Sequence, residues 1–190
     1  APENYRSKIK SPFELAVSSI RALDGDTNGG RGMYAMLRKL GEVPYGYQAP
    51  TGYPDLAEDW VNTGALLERL NFAVALSSNR VPGTRVDLRD FAAPTKQEML
   101  DKAIDKILDG EIRPTTKASL AKQLSQPLPE VKVPENDPEE AAGTPMANDA
   151  VGKQGRRNAN RNSVLLPASG DPEIFKVVSL VLGSPEFQRQ

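Results

Sequence analysis

The segment Asp24-Gly25-Asp26-Thr27-Asn28-Gly29-Gly30 sets side-chain oxygens at its first, third and fifth positions and glycine at its sixth. An EF-hand loop begins to wrap calcium in this way, with a backbone carbonyl at the seventh position, so Asp24, Asp26, Asn28 and Gly30 are the candidate ligands. Position twelve is Ala35, where such a loop carries a bidentate glutamate. The missing oxygens would have to come from Glu42 or water, and the site would be weak. The competing reading is an Asp/Asn/Gly turn between two helices, chosen for left-handed backbone angles.

A second cluster gathers Tyr45, Tyr47, Tyr53 and Trp60 around Gly46, Pro50, Gly52 and Pro54, in a chain whose aromatic content is 6%. Flat aromatic faces suit sugar rings or a protein partner, and they equally suit covering helix ends. Asp55, Glu58 and Asp59 lie close by in sequence. Two carboxylates across a cleft are what glycoside hydrolysis needs, but acids at a helix start ordinarily complement its dipole. Arg156, Arg157 and Arg161 could touch phosphates. The acidic stretch Glu130–Glu140 upstream balances them, so the expectation is no nucleic-acid partner and a contact between the two stretches instead.

The chain has no Cys and no His. That removes thiolate nucleophiles, imidazole bases, thiolate zinc sites and Ser-His-Asp triads, so no catalytic residue is assigned and no cofactor is required beyond a possible calcium ion. Lys and Arg total 24 against 25 Asp and Glu, which gives no global field towards nucleic acid or an anionic membrane. No apolar run approaches a membrane span, and the first ten residues lack a signal-peptide core. The first residue is Ala1, consistent with processing or excision from a longer chain. Hydrophobic residues make up only 38%, with 16 prolines and 15 glycines, so part of the chain is expected outside any core.

The elements that must position these groups are helices. Ser11-Pro12-Phe13-Glu14 reads as a capping box with proline in the first turn, and Phe13, Ala16, Val17, Ile20 and Leu23 follow as an apolar stripe. Met33, Met36, Leu37 and Leu40 predict a second helix that stops at Gly41. From about Asn62 or Thr63 to Ser77, Leu66, Leu67, Leu70, Ala73 and Val74 predict a buried side from which Glu68 and Arg69 turn away. Thr95 caps a helix carrying Met99 to Leu108, which Gly110 ends, and Thr115 or Thr116 caps a shorter one through Leu124. Asp171-Pro172 starts a last helix through Leu182, whose valines leave a strand as the alternative. The intervening stretch from Gln126 to Ala168 holds six prolines and few large apolar residues, too little to offset its ordering entropy. The expected architecture is mainly α: an irregular bundle of about five to six helices over residues 1–125 plus 169–190, with 126–168 as a Pro-rich extended arm or insertion.

Four blocks stand in a distinctive order. They are Lys10-Ser11-Pro12-Phe13-Glu14-Leu15, Thr51-Gly52-Tyr53-Pro54-Asp55, Trp60 with Thr63-Gly64-Ala65-Leu66-Leu67-Glu68-Arg69-Leu70-Asn71-Phe72-Ala73, and Leu182-Gly183-Ser184-Pro185-Glu186-Phe187-Gln188. Together they resemble family 1800 of the domains of unknown function, over roughly the last third of such a protein, while residues 79–170 carry little of the pattern. The resemblance implies a helical, usually exported bacterial protein, periplasmic or extracellular, often encoded beside a second uncharacterised family whose members carry twin-arginine signals. It brings no activity and no functional residue. The reading is therefore a non-catalytic structural or protein-interaction module whose partner is another protein or the preceding part of its own chain. The alternative is the C-terminal portion of a polysaccharide-directed hydrolase whose catalytic groups lie mostly elsewhere.

Overall fold

Ser11 starts the first helix as its sequence dictates. Its hydroxyl accepts from the Glu14 N–H at 3.3 Å, and the Glu14 carboxylate accepts from the Ser11 N–H at 2.7 Å, with Pro12 in the first turn where no donor is lost. In the computed structural model, which describes residues 8–47, 50, 52–53, 60, 62–126 and 165–189, this helix is α1, Pro12–Ala22. It is followed by β1 (Asp26–Thr27), α2 (Arg31–Leu40), α3 (Thr63–Ser77), β2 (Thr84–Arg85), a 3-10 turn (Arg89–Phe91), α4 (Lys96–Leu108), α5 (Pro114–Leu124) and α6 (Pro172–Leu182). The described residues are thus mainly α, and the six helices agree with the bundle expected from sequence. Among the described residues, no helix is long and apolar enough to cross a membrane.

The last helix is the centre of the packing. α6 lies against both α3 and α4, and Val177, Val178, Val181 and Leu182 are completely buried between them. Asp171 accepts from the Glu173 N–H at 2.8 Å and Pro172 opens the helix, so the valine-rich segment is a helix and not the alternative strand. Burial on both sides outweighs β-branching, since each such side chain contributes about 1.5–3 kcal/mol when fully buried, against a few tenths for propensity. Buried serine hydroxyls are satisfied within their own helices. Those of Ser19, Ser77, Ser78 and Ser179 each donate to a carbonyl of their own helix and are buried without an unmet partner.

Two helices are rotated relative to the faces expected. In α1 the buried side is Pro12, Leu15, Ala16 and Ser19, continued by Leu23, while Phe13 and Val17 are exposed. In α3 Leu66 and Leu67 are exposed, and Arg69 is buried with 3% of its surface accessible. Both alternatives satisfy helical spacing, so periodicity could not separate them. The C-terminal half of α3, Phe72 to Ser77, is buried on every side. Its orientation follows from what Arg69 reaches: Nη1 donates to Gln188 Oε1 at 2.8 Å and Nη2 to the Lys10 carbonyl at 2.7 Å. Burial lowers the Arg69 pKa from its usual value, and the charge of Glu42 opposes that shift. The segments that Arg69 joins also pair with each other, through Lys10 N–H to the Gln188 carbonyl at 2.9 Å and a bridge between Ile9 and Arg189.

α5 departs from its expected start. Its N-cap is Arg113, with Pro114 first in the helix, and neither Thr115 nor Thr116 caps it. The cap arrives from the far end of the sequence, where Glu186 Oε1 accepts from Thr116 Oγ1 at 2.8 Å and from the Arg113 N–H at 3.4 Å. At the other end Lys176 Nζ donates to the carbonyls of Leu124 (2.8 Å) and Gln126. A buried anion at the N-terminus and a buried cation at the C-terminus both complement the helix dipole.

The β1–β2 ribbon was not legible from residue patterns. It pairs Asp26 with Arg85 and Thr27 with Thr84, and joins the α1–α2 connection to the one after α3. Arg69→Met keeps much of the volume but leaves the Lys10 carbonyl and the Gln188 side chain without their donor. We expect a loss of about 2–4 kcal/mol in denaturant unfolding, together with faster hydrogen exchange at the Lys10 amide. Unchanged stability and exchange would show that the buried guanidinium does not hold the two segments.

Candidate functional site

α2 ends at Gly41, whose φ of 96° is left-handed, and the chain then enters the aromatic segment. Glu42, its first side chain, accepts from the Phe13 N–H in the first turn of α1 at 2.7 Å and also faces the charge of Arg69. The root of the segment is therefore tied to the same charged group that organises α3. Val43 follows, and the Tyr53 hydroxyl both accepts from the Val43 N–H (2.9 Å) and donates to the Val43 carbonyl (3.0 Å). Gly46 closes this turn through its N–H to the Val43 carbonyl at 2.8 Å. A Cβ on residue 46 would meet the Val43 side chain at 2.8 Å, so only glycine fits.

The four aromatic residues singled out from sequence divide into two kinds. Trp60 is buried, Tyr53 stands 5.8 Å from it between ring centroids, and Tyr47 stands 4.6 Å from Tyr53, with rings tilted by 43° and 45°. These tilted contacts form a ladder from the interior to the surface, each within the range where aromatic pairs attract. Trp60 and Tyr53 serve packing. Tyr47 is exposed at the ladder's outer end, and Tyr45 is fully exposed with a left-handed φ of 60°. An aromatic side chain in solvent on a left-handed backbone is an uncommon arrangement for a residue with a Cβ.

The Asp24–Gly30 segment forms the connection that crosses from α1 to α2 by way of the ribbon. Asp24 turns the chain with φ of 47°, Asp26 lies in β1, and Asn28 donates its N–H to the Gly83 carbonyl at 2.9 Å. The Asn28 Oδ1 accepts from the Gly30 N–H at 2.9 Å, and Thr27 Oγ1 is bonded to Thr84 Oγ1 at 2.7 Å. Asp24, Asp26 and Asn28 are exposed. Among the described residues no three acidic, His or Cys side chains cluster as a metal set. A calcium ion here would have to draw Asn28 Oδ1 from its turn and recruit other oxygens.

Beside the ribbon runs a feature that residue patterns did not reveal. A cleft of about 690 Å³ lies between β1–β2 and residues 165–169, lined by Asp26, Asn28, Arg85 and Val86 on one side and Leu166 and Pro167 on the other. Leu166 N–H to the Arg80 carbonyl (2.8 Å) and Ser169 N–H to the Ser78 carbonyl (3.0 Å) hold its far wall. Asn79 supports the floor by bonding both backbone groups of Val86. A smaller hollow of about 250 Å³ adjoins it at Asn79 and Val86, and at its edge the Arg89 side chain lies on Asp87 and holds that carboxyl down to about 2. The only sequence signal for this wall is a short apolar run, Val164 to Pro167, after a polar stretch, and no residue type there announces a cleft. Asp55, Glu58, Asp59, Arg156, Arg157 and Arg161 lie outside the described residues.

The calcium expectation is tested by titrating the metal while following thermal unfolding. Binding raises the melting temperature progressively with free calcium, and Asp26→Asn abolishes the rise. No shift at millimolar calcium removes the metal from consideration.

A family model described as Protein of unknown function (DUF1800) matches residues 1–189. The match therefore also runs through residues 79–170, which lie outside the four sequence blocks. No curated protein and no solved structure matches the chain.

Proposed function

The chain belongs to the DUF1800 family, and from that premise we propose that it is a protein-interaction module of an exported bacterial protein or assembly, which engages its partner through Tyr45 and Tyr47. The carrying observation is the aromatic ladder and its outer rung. Tyr53 and Trp60 anchor the segment, leaving Tyr47 exposed at the surface and Tyr45 wholly in solvent on a left-handed backbone. Tyrosine suits this use because it offers large contact area at the cost of only two side-chain torsions, and such residues dominate interface energetics. Exposed Phe13, Leu66 and Leu67 add apolar surface on helices tied to the same segment through Glu42 and Arg69. The partner in this proposal is another protein or a preceding part of the same one.

The alternative proposal, a portion of a polysaccharide-directed hydrolase, draws on the same platform as a sugar-stacking surface. The two separate cleanly by experiment. For an interaction module, Tyr45→Ala leaves unfolding stability within about 0.5 kcal/mol, as surface changes do. The same change weakens the natively isolated complex by about 2 kcal/mol or more, roughly thirtyfold in dissociation constant. Tyr45→Ala with unaltered complex stability would overturn the proposal. Polysaccharide cleavage lost on Glu58→Gln or Asp59→Asn would favour the hydrolase instead.

A further inference from the structure

Asn28 is followed by Gly29, and no other asparagine in the chain precedes a glycine. Without a Cβ on the second residue, its backbone nitrogen can approach the side-chain carbonyl carbon of the first. Several features that favour that attack surround Asn28. The Gly29 N–H donates to Thr27 Oγ1 at 3.2 Å, so the attacking nitrogen has an oxygen on its proton. The Gly30 N–H donates to Asn28 Oδ1 at 2.9 Å, placing a fixed dipole on the oxygen where negative charge develops. The carboxamide lies over Gly83, where a Cβ would come within 2.7 Å of Asn28 Cγ and Nδ2, so glycine there leaves room for it. Asn28 is exposed, and a Cβ built on Gly29 would meet nothing within 4 Å, so water has access. Other asparagines are held differently. Asn62 precedes threonine and its Oδ1 caps α3 through the Ala65 N–H, while Asn79 uses both its oxygen and its nitrogen on the Val86 backbone.

We propose that Asn28 is a self-modification site, converted by its own loop to aspartate and iso-aspartate. The Gly29 nitrogen forms a bond to Asn28 Cγ. The Cγ–Nδ2 bond breaks, and the proton from Gly29 leaves with Nδ2 as ammonia, giving a five-membered imide. Water then opens the ring. Cleavage of the Gly29 N–Cγ bond gives aspartate, and cleavage between Gly29 N and the Asn28 main-chain carbonyl carbon gives iso-aspartate. No electrons are transferred, and the reactants are the loop and water.

Either product adds a third carboxylate to Asp24 and Asp26, just ahead of α2. That helix has no side-chain cap and no acid in its first turn, so new negative charge is favoured there by the dipole. The iso-aspartyl product also inserts a methylene into the backbone where the Asn28 N–H meets the Gly83 carbonyl, and so disturbs the β1–β2 register.

The test is peptide mapping by mass spectrometry of the full chain, incubated at neutral and mildly alkaline pH and in parallel in denaturant. The expected result is an amide-to-acid mass gain confined to the peptide containing Asn28. It should be faster at higher pH, absent in Asn28→Gln, and within about tenfold of the unfolded chain's rate in the native protein. A native rate more than about tenfold below the unfolded one, or a gain that appears first at another asparagine, would overturn the proposal.

Discussion

A guanidinium buried between three segments is the constraint from which the arrangement of this protein follows. Arg69 sits on α3 with almost no solvent contact, yet it donates to the Lys10 carbonyl and to the Gln188 side chain. Burying that charge is costly unless its donors are met, so the segments at 8–10 and 187–189 must both be in place when α3 packs. Glu42 supplies opposing charge and also satisfies an N–H at the start of α1. One residue therefore couples α1, α3, the root of the aromatic segment and the end of the chain. The rotation of α3, with Leu66 and Leu67 turned outward, is the geometric consequence.

The C-terminal helix extends the same logic to α5. α6 contributes its apolar faces to α3 and α4, but its Lys176 and the following Glu186 reach to opposite ends of α5. α5 has weak local credentials: no side-chain cap of its own and only Leu120 and Leu124 buried. Its position is set by two buried charges matched to its dipole, so it should form cooperatively with α6 and not before it.

The surface that this core supports is asymmetric. On one side an aromatic ladder rises from buried Trp60 to exposed Tyr47, with Tyr45 beyond it. On another, a two-residue ribbon and residues 165–169 border an open cleft of mixed polar and apolar lining. The ribbon is short, but it fixes the Asp24–Gly30 connection closely enough that the Asn28 amide, the Gly29 nitrogen and the Gly30 N–H have defined relationships. Candidate recognition and candidate chemistry thus lie on loops positioned by helices, where backbone geometry is not already committed to a ladder.

Local signals in the sequence determined the helices and most of their ends, the start of α5 excepted. Ser11 with Glu14, Gly41, Thr95 and Asp171 act within a few residues of themselves, so cap and stop can be read without knowing the partner. The aromatic cluster was legible because it is a matter of residue type, and so was the family, because four blocks of residues stand in a fixed order. The faces of α1 and α3 were not legible, since two helical stripes fit each sequence and only packing chooses between them. The roles of Arg69, Lys176 and Glu186 were hidden for a related reason. A charged residue reads as solvent-facing unless its partners are known, and those partners lie 59 and 119 residues away for Arg69, and from 50 to 73 for the two that hold α5. Tertiary structure alone brings such distant groups together, and burial then makes their hydrogen bonds obligatory.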